Sequence, residues 1–211
     1  MAMIGALHQK FVAGRRVQVL TEHLIALIPS GARVLDVGCG DGMIDRLISE
    51  HRTDVSIQGI DVLVRQDTQM PVKRFDGITI PYPDGSFDAV MFVDVLHHTV
   101  DPFVMLREAH RVADTVLIKD HFREGFLSGT TLRFMDWVGN AHHGVALPYN
   151  YWSRSEWSTA FGAGHLEVIE MKTSLGLYPR PVSWLFERGL HFVARLERAK
   201  LPSIVAVGQT L

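Results

Sequence analysis

Val34-Leu35-Asp36-Val37-Gly38-Cys39-Gly40-Asp41-Gly42 is an apolar strand running into a D-x-G-x-G-x-G turn, and its reading decides the fold. Glycine at alternate positions lets backbone pass close to a bulky ligand, because a residue without Cβ takes φ > 0 freely and leaves no side chain in the way. After Gly42 the apolar residues Met43, Ile44, Leu47 and Ile48 recur at helical spacing. The turn therefore opens a helix whose free N–H groups face the same cleft. Asp36, just ahead of the glycines, is placed to accept a hydrogen bond from a cationic or hydroxyl-bearing ligand.

Spacing separates the two nucleotide chemistries that use such a unit. A dinucleotide fold needs G-x-G-x-x-G, with the pyrophosphate on the helix N-terminus. Here the third glycine comes one residue early, Met43 stands where glycine is required, and Asp41 inside the turn repels a pyrophosphate. An NAD-dependent oxidoreductase is disfavoured on these grounds. S-adenosylmethionine, with a ribose, a sulfonium and an amino-acid tail but no phosphate, fits.

From about Ile28 to Val112 the chain resembles the small-molecule, type 11-like branch of class I S-adenosylmethionine-dependent methyltransferases. Four motifs carry the resemblance in order: the glycine turn; Val55 to Asp61, a strand ending in an acid; Phe75-Asp76-Gly77 followed by Ile80-Pro81-Tyr82-Pro83-Asp84-Gly85-Ser86-Phe87-Asp88; and Ala89 to His98 followed by Asp101-Pro102, Leu106, Glu108 and Arg111-Val112. The resemblance implies an α/β, Rossmann-like fold: a seven-stranded, mostly parallel sheet in the order 3-2-1-4-5-7-6, strand 7 antiparallel, with helices on both faces. It also implies S-adenosyl-L-methionine as cofactor and S-adenosyl-L-homocysteine as product. Cofactor contacts then fall on Asp36, Gly38, Cys39, Gly40, Asp61, Val62, Asp76, Gly77 and Asp94. Asp61 would take the ribose hydroxyls and Asp76 the adenine amine. One departure is visible: between Asp61 and Asp76 the family fits a full helix, whereas Val62 to Phe75 is short and contains Pro71, which predicts a loop there.

A chain of 211 residues with 47% hydrophobic content can bury the core of one domain spanning residues 1–211. A net charge of −2 provides no field for a nucleic-acid backbone. The single cysteine, Cys39, suits a reducing cytoplasm and reads as a small turn residue. No apolar run reaches the roughly 20 residues of a membrane span, and no signal-peptide core is present, so a cytoplasmic location is expected.

Strands are expected at about 33–37, 55–60, 72–75, 88–93, 114–119 and 166–173, with helices near 7–28, 42–51, 102–112 and 127–138. Ser153 three residues before Glu156 has the form of a capping box opening a further helix. The period of Val182, Leu185, Phe186, Leu190, Val193 and Leu196 predicts a helix from Pro181 to Arg198, laid on the domain or on a lipid-like partner, with Ser203 to Gln209 as the final strand. Residues 121–152, rich in aromatic and amphipathic side chains, are expected to cover the methyl acceptor.

Methyl transfer from a sulfonium is an in-line displacement. The protein must supply closeness, alignment and removal of water, together worth about 7–11 kcal/mol. A base is needed only where the acceptor loses a proton, and His98, His97 and His121 are the candidates at the ends of the fourth and fifth strands. His110, His142 and His143 show no metal-ligand spacing on a helix, so no metal is expected. The expected activity is O- or C-methylation of a small organic acceptor, lipid-like ones included; the alternative within the same fold is non-catalytic binding of the nucleoside.

Overall fold

The computed structural model describes residues 14–140 and 149–199, and its elements follow the predicted alternation. α1 (Gly14–Leu27) buries Leu20, Leu24 and Leu27 along one stripe and stops short of Pro29, which disfavours a helical residue before it. There follow β1 (Arg33–Val37), α2 (Met43–His51), β2 (Ser56–Asp61), β3 (Val72–Arg74), β4 (Ala89–Val93), α3 (Pro102–Val112) and β5 (Thr115–His121). Beyond them come α4 (Ser128–Asn140), α5 (Arg154–Ala163), β6 (Leu166–Lys172), α6 (Ser183–Phe186) and β7 (His191–Arg198). A 3-10 turn, Leu96–His98, separates β4 from α3.

The strands form one sheet in the order β3-β2-β1-β4-β5-β7-β6, with β1 to β5 parallel and β7 antiparallel to both neighbours. This is the predicted Rossmann-like architecture. Strands covered on both faces read as continuous apolar runs, and alternate residues sort between two cores. Leu35, Val37, Val90, Phe92, Val116 and Ile118 meet Leu106, Ala109 and Trp157 of α3 and α5 on one face. Val34, Ala89, Met91 and Leu117 meet Leu20, Leu24 and Ile48 of α1 and α2 on the other. Parallel pairing places the carboxyl ends of β1, β2, β4 and β5 along one edge, where ligands of open α/β sheets bind.

Local signals behave as the sequence implies. Asp101 accepts the Phe103 N–H at 2.9 Å with Pro102 opening α3, and the Ser153–Glu156 capping box forms at α5. No helix lies between Asp61 and Val72. None of the described helices is long and apolar enough to cross a membrane.

The C-terminal third corrects one expectation. Residues 181–198 are not one helix: α6 is a single turn, Gly189 at φ 71 ends the connection, and the remainder is β7. Phe192, Ala194 and Leu196 alternate into one core while Val193 fills the other. A strand buried on both faces has no clear period, and its apolar positions mimicked a helical stripe. Arg195 and Arg198 pair with Glu197 (2.6 Å) and Asp114 (2.9 Å). β7 is the last strand among the described residues, and the strand expected at Ser203–Gln209 lies outside them.

Candidate active site

The glycine turn adopts the left-handed backbone its sequence implies, with φ 79, 63 and 74 at Gly38, Gly40 and Gly42. Gly38 N–H donates to the Ile60 carbonyl at 2.7 Å, tying the turn to β2. Gly40 N–H donates to Asp61 Oδ2 at 2.8 Å and Leu63 N–H to Oδ1 at 2.9 Å. Each Asp61 oxygen keeps a lone pair, so a fixed carboxylate remains able to accept from ligand hydroxyls. Gly42 serves a different purpose: the β2–β3 loop lies on it, with Gln69 N–H on the Asp41 carbonyl at 2.6 Å and Met70 N 3.3 Å from where a Cβ would stand. Asp76, exposed, holds its own loop by accepting the Thr79 and Ile78 N–H groups at 2.7 and 2.8 Å, which lower its carboxyl pKa. Val62 and Gly77 touch, since a Cβ on Gly77 would lie 2.9 Å from Val62 Cγ1.

Asp36 is not in the open cleft. It is 3% exposed on the α2 side of β1, against Asp45 from the first turn of α2, which is 1% exposed. Burial, then repulsion from Asp45 and Asp61, raises the Asp36 carboxyl well above its usual range. Burial likewise lifts Asp45 to about 6. Asp36 Oδ1 and both Asp45 oxygens make no hydrogen bond among the described residues. Burial and these three acids also push the Cys39 thiol up, which keeps it protonated and fits a turn residue rather than a nucleophile.

At the ends of β4 and β5 the structure brings His97, His98 and His121 together. His97 Nδ1 lies 2.7 Å from Asp120 Oδ1, and His121 Nδ1 lies 3.3 Å from the same oxygen. The His97 ring packs on His98 (4.0 Å between centroids), His121 (5.0 Å) and Tyr151 (5.0 Å). Asp136 of α4 reaches in from the covering segment. Its Oδ1 is 3.3 Å from His98 Nε2 and 3.7 Å from His97 Nε2, and its Oδ2 accepts the Tyr151 hydroxyl at 2.8 Å. Burial alone would lower the His97 imidazole, but Asp120 and Asp136 outweigh it and hold it up at about 10. Burial and the Lys119 charge push His121 down to about 4.

Asp94, at φ 57 just past β4, is engaged by Lys119 and Arg16. Burial opposes its ionisation, yet these two cations hold the carboxyl well below the usual range. Residues 149–152 clamp the edge from above. Asn150 N–H donates to the His97 carbonyl (3.0 Å), its amide to the Thr99 carbonyl (2.8 Å), and Arg123 N–H to the Trp152 carbonyl (2.8 Å). His142 and His143 lie outside the described residues.

The structure therefore brings the turn, Asp61, Val62, Asp76, Gly77 and the three histidines to one edge, with Asp36 buried beneath the turn. Sequence reading missed Asp45, Lys119 and Arg16. A charged residue in a strand as apolar as β5 was the available signal for Lys119; Asp45 reads as an ordinary first-turn acid. The arrangement fits S-adenosylmethionine. The acids favour a cation over a phosphate, Asp36 Oδ1 is buried and unpaired among the described residues, and the left-handed Gly38 and Gly40 leave the turn bare of side chains.

The comparisons with known proteins agree. A family model described as a methyltransferase domain matches residues 8–171. The 27-O-demethylrifamycin SV methyltransferase of Amycolatopsis mediterranei is 32% identical over 108 residues, covering 44% of this chain and 39% of that protein. The demethylmenaquinone methyltransferase of Tropheryma whipplei is 36% identical over 94 residues, covering 40% and 38%. The matches thus span about two fifths of these relatives' length. In fold, a chain of the complex between the Haloferax volcanii Trm112 methyltransferase activator and the putative methyltransferase superposes with a TM-score of 0.67 at 17% identity, covering 88% of this chain and 91% of that one. With sheet order, glycine turn and family match in accord, the chain belongs to the class I S-adenosylmethionine-dependent methyltransferase family.

Proposed function

We propose that this protein transfers a methyl group from S-adenosylmethionine to a small organic acceptor, at oxygen or carbon, by in-line displacement. One observation carries the reading: the glycine turn with its fixed Asp61 and the histidine cluster under residues 149–152 lie along the same carboxyl edge of one sheet. The bound cofactor supplies an activated methyl group on a good leaving group.

The residues divide the remaining work. Gly38, Cys39 and Gly40 let backbone approach the amino-acid tail, with Asp36 beneath as a counter-charge. Asp61 and Val62 receive the ribose, and Asp76 and Gly77 the adenine. Asp94 acts through its turn, since Arg16 and Lys119 occupy its carboxylate. Residues 121–152 cover the acceptor, within one domain spanning residues 1–211. A cavity of about 270 Å³ opens there, lined by Arg123, Thr130, Arg133, Tyr149 and Tyr151. The two relatives are named for a demethylrifamycin and a demethylmenaquinone, which supports a small-molecule acceptor, lipid-like ones included. Where the acceptor must lose a proton, His97 and His98 with Asp136 are the groups that meet it. His98, the most exposed of the three, stands in front, and His121 positions His97 from behind.

Thermal-shift titration with S-adenosylmethionine, S-adenosylhomocysteine and NAD tests the cofactor, because a ligand that binds only the folded state raises its apparent stability. Stabilisation by the first two and not by NAD is expected. Transfer of labelled methyl to a small-molecule extract tests turnover; cofactor binding with no labelled product would leave a nucleoside-binding protein instead.

A further inference from the structure

We propose that His97 Nε2, His98 Nε2 and Asp136 Oδ1 hold one divalent transition-metal ion of the zinc type, with a fourth coordination position left for a ligand on the His98 side. The three donors come from two separate elements, the 3-10 turn after β4 and helix α4, and lie within 4.8 Å of one another. No sequence spacing could announce them.

Their separations are compatible with ligands gathered around one ion. A charge-assisted hydrogen bond draws nitrogen and oxygen to about 2.7–2.9 Å. Ligands about 2.0–2.1 Å from a tetrahedral ion stand about 3.3 Å apart. Asp136 Oδ1 is 3.3 Å from His98 Nε2 and 3.7 Å from His97 Nε2. His97 Nε2 is sealed from solvent, with a side chain 1% exposed, and makes no geometrically close hydrogen bond among the described residues.

The surrounding groups are arranged as those of a metal centre. Asp120 holds His97 Nδ1 at 2.7 Å, so Nε2 is the nitrogen that would face a bound ion. The Tyr151 hydroxyl on Asp136 Oδ2 orients the carboxylate. A ligating histidine whose other nitrogen is held by a carboxylate, and a ligating carboxylate itself hydrogen-bonded, are the usual supports of such a site. Two imidazoles and one carboxylate suit zinc, cobalt or nickel and not magnesium, which takes oxygen ligands. Three protein ligands among the described residues, with one position open, is the form of a catalytic rather than a structural site. An acceptor oxygen at that position would lose its proton to water more readily. That use rests on the proposed methyl transfer; the site itself does not.

The test uses the full chain, stripped with a chelator. Zn²⁺ is titrated in competition with a chromophoric chelator, and Co²⁺ is followed by its visible absorption, intense only in a tetrahedral field. One ion per chain at micromolar concentration is expected, with intense cobalt absorption. Asp136→Asn and His98→Gln should bind at least about tenfold more weakly, and Asp120→Asn about 10–100-fold more weakly. Circular dichroism melts confirm that each variant folds, and His98→Gln, at the most exposed of the three ligands, disturbs packing least. Failure to bind either ion stoichiometrically, or affinity unchanged in folded His98→Gln and Asp136→Asn, overturns the proposal. Calorimetry with S-adenosylhomocysteine on the same samples separates the two readings. Cofactor binding without metal binding sinks the metal site alone, and metal binding without cofactor binding sinks the methyl-transfer reading alone.

Discussion

A Cβ on Gly38 would stand 2.5 Å from Cγ2 and 2.9 Å from Cγ1 of Val95, so the glycine turn and the segment after β4 touch with no room for a side chain. Two penalties follow for Gly38→Ala: a left-handed backbone at φ 79, costing about 1–2 kcal/mol, and displacement of Val95, which packs on the core. Affinity for S-adenosylhomocysteine should fall by about tenfold or more, one decade per 1.4 kcal/mol. Adding Val95→Ala removes the collision but not the backbone strain, so part of the affinity should return. Calorimetric titration of the two proteins decides it; a double variant no better than Gly38→Ala would remove the contact as a cause.

Strand β7 gives a prediction that a helix over the same residues would not. Phe192 is fully buried, stacked on Phe122 at 4.4 Å and edge-on to Trp157, whereas Trp184 is 70% exposed. Phe192→Ala should destabilise the protein by about 3–5 kcal/mol, and Trp184→Ala by less than about 0.5 kcal/mol. Urea denaturation of the two variants measures this. Comparable losses at both positions would contradict the packing of the C-terminal strand.

The contrast between β1 and β7 shows what could be read in advance. The glycine turn was legible because its chemistry is local: left-handed backbone, a close approach and the following helix all fall within residues 38–48. The sheet order came from the resemblance carried by four such local motifs. β7 was misread because burial on both faces erases the period of two that marks a strand. The site was legible in part for the same reason. His97, His98 and His121 stand at strand ends and announce themselves, but Asp136 meets them from helix α4, and Asp94 takes its charge partner Arg16 from 78 positions away. Asp36 has Asp45 as its buried neighbour, set by the packing of α2 on β1, which no spacing in the chain reveals.

Asp61 joins the turn to the ligand cleft through two backbone donors, Gly40 N–H and Leu63 N–H. Asp61→Asn keeps one acceptor oxygen and turns the other into a donor facing an N–H group. One hydrogen bond to a charged acceptor is lost, worth about 1.5–3 kcal/mol at most in a partly exposed site. Cofactor affinity should fall about tenfold, because the amide also no longer accepts from both ribose hydroxyls. Isothermal titration with S-adenosylhomocysteine, paired with a thermal melt, separates lost binding from lost folding. Unchanged affinity would move the ribose away from β2.

Asp36 and Asp45, buried together beneath the glycines, make stability depend on pH in a definite direction. The folded pKa of Asp45 is lifted to about 6, from 3.8, by burial, and that of Asp36 is raised well above its usual range. Between the unfolded and folded values the native state therefore binds more protons than the unfolded chain, so stability falls as pH rises through that window. The contribution is fully present below about pH 4 and is lost progressively through about pH 6 and above. Asp45→Asn is neutral throughout. Without cofactor it should be more stable than the parent by about 2–3 kcal/mol near pH 7, with the difference shrinking toward zero near pH 4. Urea denaturation across that range, read as the difference between the two proteins, cancels the carboxylates they share. A cationic cofactor beside Asp36 favours the ionised pair, so its binding near pH 6 should release protons, and the heat of binding should depend on the buffer's ionisation enthalpy. A stability difference independent of pH would show that the pair does not share its charge, and a heat of binding independent of buffer would place the cofactor's positive charge away from Asp36.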